Sequence, residues 1–185
     1  MPLVHRVQAD PSTFLLDEQR GISKLARTMQ LLEWHFHTYF DENDPVEIDK
    51  ANAIRNALVD APDDRPFVAV PLHHFFPDSD QVQPRDGPNY GLNMKPIGPH
   101  PFGSFETWVP IESFAAVFDW FLHNRNGLNI LVHPLSNEDQ RDHSERATWM
   151  GEPQTLKLSF LSTWRPNVAL QYPHFGLGYS KKQEA

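Results

Sequence analysis

Two histidines separated by a single residue, His35 and His37, are the first feature of the chain that could support chemistry. They lie in the run LLEWHFHTYF, whose aromatic and alternating residues predict a strand at about residues 32–40. Side chains two residues apart on a strand leave the same face with their Cα atoms about 7 Å apart, so both imidazoles can bind one metal ion. Two half-buried histidines that hydrogen-bond across a sheet are the alternative interpretation.

His133 is expected to join this pair. Three aliphatic residues alternate along a predicted strand at residues 127–133, which leaves His133 on the opposite face at the strand's end. If this strand runs antiparallel to the first one, its end lies beside the start of the first strand and therefore close to His35. Alternatively, the His133-Pro134 pair only ends a strand, as such pairs often do.

His100 and His143 lie in segments that can reach the same face. His100 stands between two prolines in Gly98–Pro101, and we expect this stiff segment to enter a third strand that runs parallel to the first. It would then arrive near the beginning of the first strand. His143 is expected to open a short helix behind Asp142 and to swing in from there. The alternatives are a turn with an exposed imidazole for His100 and an exposed first-turn residue for His143.

Glu106 is the carboxylate that we place on a central strand, predicted at about residues 104–109. If Phe105, Thr107 and Val109 face the helices, Glu106 faces the same side as the histidines. It can then complete a metal-binding triad of two histidines and one carboxylate. A salt-bridging residue of the sheet is the alternative.

The order of the elements is strand, helix, strand, strand, helix, strand, which is the split βαβ or ferredoxin-like α+β arrangement. The elements are predicted at residues 32–40, 45–60, 66–72, 104–109, 111–125 and 127–133, with a further strand at about 155–161. We expect an antiparallel sheet with the first and third strands in the centre and both helices on one face. The other face is then free for a site or a dimer partner. We divide the chain into an N-terminal extension (1–30), one ferredoxin-like domain (31–161) and a C-terminal tail (162–185).

Composition excludes several kinds of site and partner. The chain has 185 residues, ten histidines and no cysteine, so disulfides, thiolate metal sites and thiol nucleophiles are excluded. A formal net charge of -8 disfavours nucleic acid and anionic membrane as partners. No apolar run resembles a signal peptide or spans a bilayer, so a cytoplasmic protein is expected. The glycine-rich phosphate loops and the HExxH and GxSxG motifs are also absent from the sequence.

Four motifs together resemble the DOPA 4,5-dioxygenase family. They are WHFHTYF at residues 34–40, GPHP at 98–101, LVHP at 131–134, and Asp142-His143 followed by WMG at 149–151. Their order and spacing agree with the family over residues 32–160. The resemblance implies a ferredoxin-like fold and a non-haem Fe(II) enzyme that opens the ring of a catechol, such as L-DOPA, beside its two hydroxyls with O2.

The same resemblance leads to a hypothesis for the roles of the site residues. We expect three imidazoles to hold the Fe(II): His35, His37 and His133. We expect two others to act as acid/base and substrate-orienting groups: His100 and His143. Tyr39 and Trp108 would flank the aromatic ring, although ordinary sheet packing explains both equally well. The partners would be a small aromatic diol and O2, and zinc or another divalent metal can replace iron in a purified sample.

Other interpretations of the same residues stay open. A metal-free ligand-binding module on a ferredoxin-like dimer would use the histidine-lined face as a cup. A non-catalytic interaction protein would bury that face in a homodimer, because an open apolar sheet face needs cover. A third possibility keeps the metal but changes the reaction, for example to hydrolysis at zinc.

Overall fold

The computed structural model describes residues 31–62, 64–72, 89–168 and 170–181. Five strands form one antiparallel sheet in the order β2-β3-β1-β4-β5. The strands are β1 (Glu33–Phe40), β2 (Val70–Pro71), β3 (Gly103–Pro110), β4 (Asn129–Pro134) and β5 (Thr148–Met150). The predicted α+β class is confirmed, and the first four strands have the ferredoxin-like order, with β5 added at the edge of β4.

Two main helices follow the strands where the sequence predicts them. They are α1 (Pro45–Val59) and α2 (Phe114–Asn124), and a one-turn helix, α3 (Asp139–Asp142), comes later in the chain. The side chain of Asp44 caps α1 by accepting a hydrogen bond from the backbone N–H of Val46 at 2.9 Å, and Pro45 starts the helix. Glu47, three residues after Asp44, accepts a hydrogen bond from the backbone N–H of Asp41 at 2.7 Å.

The hydrophobic core lies between the sheet and these two helices. Phe36 and Phe40 of β1 are buried in it, as the alternation along the strand predicts. Phe36 stacks on Phe121 of α2 with ring centroids 5.1 Å apart, and Ile54 and Leu58 bring in α1. Burying each such side chain contributes about 1.5–3 kcal/mol, and it fixes which face of β1 carries the histidines.

The third strand runs antiparallel to the first, so the expectation of a parallel third strand is wrong. Gly103, the first residue of β3, pairs with Phe40, the last residue of β1. β3 forms its ladder between β1 and β2, and it is antiparallel to both. His100 therefore enters the histidine face beside the end of β1, next to Tyr39, and not beside the beginning of β1.

The expected strand at residues 155–161 is also wrong. Thr148–Met150 already occupies the free edge of β4, where Met150 pairs with Ile130. Leu158–Phe160 instead forms a single 3₁₀ turn. In addition, His143 ends α3 rather than opening a helix, because its backbone N–H donates to the carbonyl oxygen of Asp139 at 3.1 Å.

Residues 170–181, which we call the C-terminal segment, pack against the sheet face opposite the helices. Trp108 of β3 is fully buried, and its ring lies 5.1 Å from that of Tyr172 and 6.1 Å from that of Phe175. Since residues 170–181 already cover part of this sheet face, a second copy of the chain is less needed to bury it. The homodimer, like the domain boundaries, stays a prediction.

A buried carboxylate fastens the C-terminal segment to the sheet. Glu33, the first residue of β1, accepts hydrogen bonds from the Trp108 indole N–H at 2.8 Å and from the Tyr179 backbone N–H at 3.1 Å. Gly178 permits this close approach, because a Cβ atom there would lie 2.6 Å from Glu33 Cγ. We call this group of three bonded residues the Glu33 latch.

None of the helices in the described ranges is long and apolar enough to cross a membrane.

Candidate metal centre and cavity

Three antiparallel strands place the histidines side by side on the face opposite the helices. The register pairs His35 of β1 with His133 of β4, and His37 with Glu106 of β3. The imidazoles of His35 and His133 lie 5.4 Å apart at their centroids, and those of His37 and His133 lie 5.1 Å apart. The predicted convergence of these three histidines is therefore present in the structure.

His100 and His143 complete a cluster of five imidazoles. The ring of His100 lies 4.2 Å from that of His37, and the ring of His143 lies 3.8 Å from that of His133. His100 comes from the loop before β3, and His143 comes from the end of α3. Two overlapping sets of three could each hold a metal ion: His35, His37 and His133, or His37, His100 and His143.

Oxygen atoms next to the cluster orient three of the rings. His133 Nδ1 lies 2.8 Å from the carbonyl oxygen of Pro134, and His143 Nδ1 lies 2.9 Å from that of Asp139. A carbonyl oxygen only accepts, so each Nδ1 carries the proton and each Nε2 keeps a free lone pair. His100 Nδ1 lies 2.6 Å from Tyr39 Oη. Such bonds to the far nitrogen are typical of histidines that bind metals.

His35 has polar neighbours at both ring nitrogens. Its Nδ1 lies 3.1 Å from Glu106 Oε1, and its Nε2 lies 2.8 Å from Gln171 Oε1. The other oxygen of Glu106 lies 3.5 Å from His37 Nε2. Glu106 therefore faces the histidines, as the alternation along β3 predicts, and it contacts both members of the His-x-His pair.

Burial keeps these imidazoles neutral. It lowers the pKa of His35 and of His100 to about 3. For His37 and His133, burial and the neighbouring imidazoles together hold the pKa well below its usual value. Burial also raises the pKa of Glu106 to about 8. Neutral imidazoles are the form that coordinates metal ions.

The donor atoms fit a divalent transition metal. His37 Nε2 and His133 Nε2 are only 3.0 Å apart. Two nitrogens bound at right angles to one ion, each at about 2.1 Å, would also lie about 3.0 Å apart. Imidazole nitrogens with a nearby carboxylate suit Fe(II) and Zn(II), whereas Mg²⁺ and Ca²⁺ prefer oxygen ligands.

An ion-pair network holds the helix turn that carries His143. Arg146 bonds Asp142 at 2.7 Å and Glu138 at 2.5 Å, and Ser136 donates to the same buried Asp142 carboxylate. Asp142 is only 1% exposed, so Arg146 balances a charge that water does not reach. This network fixes α3 and thereby the position of the His143 ring.

The five histidines and Glu106 line one cavity of about 410 Å³. Its lining also includes four residues from the last part of the chain: Arg165, Asn167, Val168 and Gln171. Tyr39 and Trp108 do not belong to the lining. Tyr39 supports His100 through its hydroxyl, and Trp108 anchors the C-terminal segment. Neither of these two predicted substrate-binding residues is therefore placed where a ligand in the cavity would touch it.

Sequence reasoning missed Gln171 and Arg165. Both follow the last periodic segment, and no motif surrounds them. A single signal was present: the stretch after residue 162 is rich in aromatic residues, which is unusual for a solvated tail.

Comparison with known proteins agrees with the geometry. A model of the Dopa 4,5-dioxygenase family matches residues 34–160, which include all five clustered histidines. DOPA 4,5-dioxygenase of Amanita muscaria is 42% identical over 151 residues, covering 82% of this chain and 59% of that protein. An uncharacterized 21.2 kDa protein of Botryotinia fuckeliana is 42% identical over 89 residues, which is 43% of this chain and 48% of that one. This chain thus spans about half to three fifths of the length of these curated relatives.

A solved structure shows a related fold. The crystal structure of a "putative dioxygenase" from Nostoc punctiforme superimposes with a TM-score of 0.51 at 27% sequence identity. The match covers 70% of this chain and 90% of that chain. Because the family model matches more than half of the residues and includes every histidine of the cluster, we conclude that this chain belongs to the Dopa 4,5-dioxygenase family.

Proposed function

We propose that this chain is a non-haem Fe(II)-dependent extradiol dioxygenase that opens the ring of a catechol, such as L-DOPA, with O2. The observation that carries the proposal is the cluster of buried, neutral imidazoles in a cavity of about 410 Å³, inside the family-matched residues. A cavity of this size is suitable for a molecule with one aromatic ring. The relative from Amanita muscaria, named as a DOPA 4,5-dioxygenase, supports the substrate class.

His35, His37 and His133 are the proposed ligands of the Fe(II). His37 and His133 present their Nε2 atoms 3.0 Å apart, and His35 is the register partner of His133. When bound, the ion would supply a Lewis acid for the catechol oxygens and the redox chemistry for O2. Glu106 places a carboxyl group beside His35 and His37, and a cation bound there would favour its ionised form.

His100 and His143 are the proposed acid/base and substrate-orienting residues. His143 carries its proton on Nδ1, against the Asp139 carbonyl oxygen, so Nε2 can accept a proton from a catechol hydroxyl and later return it. His100 faces the cluster from the other side, where the Tyr39 hydroxyl holds its ring. These two rings lie 6.0 Å apart at their centroids, so each can face a different part of a bound ring.

Oxygen consumption tests the proposal. Protein purified without oxygen and loaded with Fe(II) is given L-DOPA or plain catechol, and oxygen uptake is measured beside the visible spectrum. We expect uptake that follows a new yellow product in the wild type and is lost in His37→Ala. The matched control is His123→Ala, because the His123 side chain is 76% exposed and lies outside the cluster. Uptake that survives unchanged in His37→Ala would contradict the proposal.

Two variants separate the ligand roles from the acid/base roles. His133→Ala should empty the metal site, whereas His143→Ala should keep the metal and slow turnover. Full iron occupancy in His133→Ala would show that the ligand assignment is wrong. Loss of iron in His143→Ala with retention in His35→Ala would favour the second histidine set, His37, His100 and His143.

A further inference from the structure

The outer wall of the cavity comes from residues that the family model does not match. Arg165, Asn167, Val168 and Gln171 line the cavity, and all follow residue 160, where the family match ends. The likeness to the family therefore does not determine what this wall recognises. Its chemistry has to be worked out from its own side chains.

Arg165 is held in place on both sides of its backbone. Its N–H donates to the carbonyl oxygen of Asn137 at 2.7 Å, and the side-chain amide of Asn137 donates back to the Arg165 carbonyl oxygen at 2.7 Å. Asn137 is only 7% exposed, so this reciprocal pair is well shielded from water. The guanidinium is paired as well, because its Nε forms an ion pair with the carboxylate of Asp139. A side chain whose backbone is held and whose Nε is paired has less freedom to lose when it binds a ligand.

The two terminal nitrogens of Arg165 are available to a ligand. They form no hydrogen bond with any residue in the described ranges, and the side chain is 53% exposed. Arg165 is also the only lysine or arginine among the described residues that line the cavity. A guanidinium fork with two free N–H edges matches the two oxygens of a carboxylate. Asp139 offsets part of its charge, which favours a monoanion over a more highly charged group.

Asp139 connects Arg165 to the histidine cluster. Its side chain pairs with Arg165, and its carbonyl oxygen accepts the hydrogen bond from His143 Nδ1 at 2.9 Å. Arg165 and the five histidines also line the same cavity, so both are accessible to one ligand in it.

We propose that Arg165 is a specificity-determining residue that binds a carboxylate on the substituent of the aromatic diol, while the diol faces the histidines. This inference rests on the proposed function for the diol end, but not for the carboxylate end. The substrate class is then a catechol with an acidic side chain, and neutral alkylcatechols bind without this contact.

Binding measured without oxygen tests the inference apart from turnover. The metal-loaded protein is titrated by calorimetry with 3,4-dihydroxyphenylacetate and, separately, with 4-methylcatechol. In Arg165→Met, we expect the Kd of the acidic ligand to rise about 10–100-fold, the usual effect of losing a charge-assisted pair of hydrogen bonds. The Kd of 4-methylcatechol should change by less than about twofold. Arg165→Lys keeps the charge but not the fork, and it should give an intermediate loss.

Lys50→Met is the matched control. It removes one positive charge from α1, on the other face of the sheet, and should leave both Kd values unchanged. Equal losses for both ligands in Arg165→Met would overturn the inference, as would no loss for either one or failure of the wild type to bind the acidic ligand. If binding of the acidic ligand depends on Arg165 but no ligand gives oxygen uptake, the carboxylate contact is supported and the proposed reaction is refuted. If 4-methylcatechol gives oxygen uptake but Arg165→Met leaves the Kd of the acidic ligand unchanged, the reaction is supported and the carboxylate contact is refuted.

Discussion

Acidification of the metal-free protein should destabilise it through the histidine cluster. His35 and His100 have a folded pKa of about 3, whereas imidazoles in an unfolded chain titrate near 6.5. As the pH falls below about 6.5, these imidazoles bind protons in the unfolded chain but not in the folded chain. Stability from these groups is therefore present above the unfolded pKa and lost progressively as the pH falls towards the folded pKa.

The size of the effect follows from the number of protons. Each buried imidazole that stays neutral contributes about 1.4 kcal/mol per pH unit below about pH 6.5. Glu106 acts in the opposite direction, because its folded pKa is raised from 4.5 to about 8. Between these two pH values its carboxyl group binds one proton in the folded chain that it does not bind in the unfolded chain. Counting only His35 and His100 leaves a net difference of one proton between the unfolded and the folded chain. Adding His37 and His133, whose pKa values lie well below the usual value, leaves a net difference of three. The expected loss near pH 5.5 is therefore about 1.4–4.2 kcal/mol per pH unit.

Urea unfolding of the chelator-treated protein at pH values from 5 to 8 measures this slope. Glu106→Gln removes the opposing proton, so its stability should fall more steeply on acidification, by about 1.4 kcal/mol per pH unit. His123→Gln, at an exposed site, should leave the slope unchanged. Stability that is flat or rises between pH 7 and pH 5.5 in the wild type would refute the neutral, buried histidine cluster.

Three further substitutions test the parts that hold the site together. Glu33→Ala leaves the buried indole N–H of Trp108 and the half-buried backbone N–H of Tyr179 without an acceptor. We expect a loss of about 1–3 kcal/mol in urea unfolding, mainly from the Trp108 donor, with faster proteolysis of the C-terminal segment. Arg146→Met leaves the buried Asp142 carboxylate without its ion-pair partner and should lower the free energy of unfolding by about 3 kcal/mol. In the control Arg141→Met, whose ion pairs are more exposed, the same measurement should show a loss of less than about 1 kcal/mol. Phe36→Ala opens a cavity under α2 and should cost about 3–5 kcal/mol in thermal or urea unfolding.

Much of the site could be predicted because strand alternation is a strong rule. Phe36 and Phe40 must face the helices, so His35 and His37 must face away from them. Antiparallel pairing then brings the end of β4, and with it His133, to the start of β1. These inferences need only the period of two and the direction of one neighbouring strand.

The remaining parts depend on contacts that leave no periodic signal. The sequence around residues 155–161 alternates like a strand, but Thr148–Met150 takes the edge of β4 first. The C-terminal segment folds back because Tyr172 and Phe175 bury Trp108, a long-range contact between isolated aromatic residues. Gln171 precedes Tyr172 directly, and Arg165 is held by its hydrogen bonds with Asn137, so neither role could be predicted from spacing.

Fe(II) binding, measured anaerobically in wild type and in His37→Ala, tests most directly whether the histidine cluster is a metal centre. His37 belongs to both sets of three that could hold an ion, so its loss should disable either set. We expect about one tightly bound Fe(II) per wild-type chain and almost none in His37→Ala, with His123→Ala binding as the wild type does. Equal iron binding in all three proteins, or none in the wild type, would contradict the assignment.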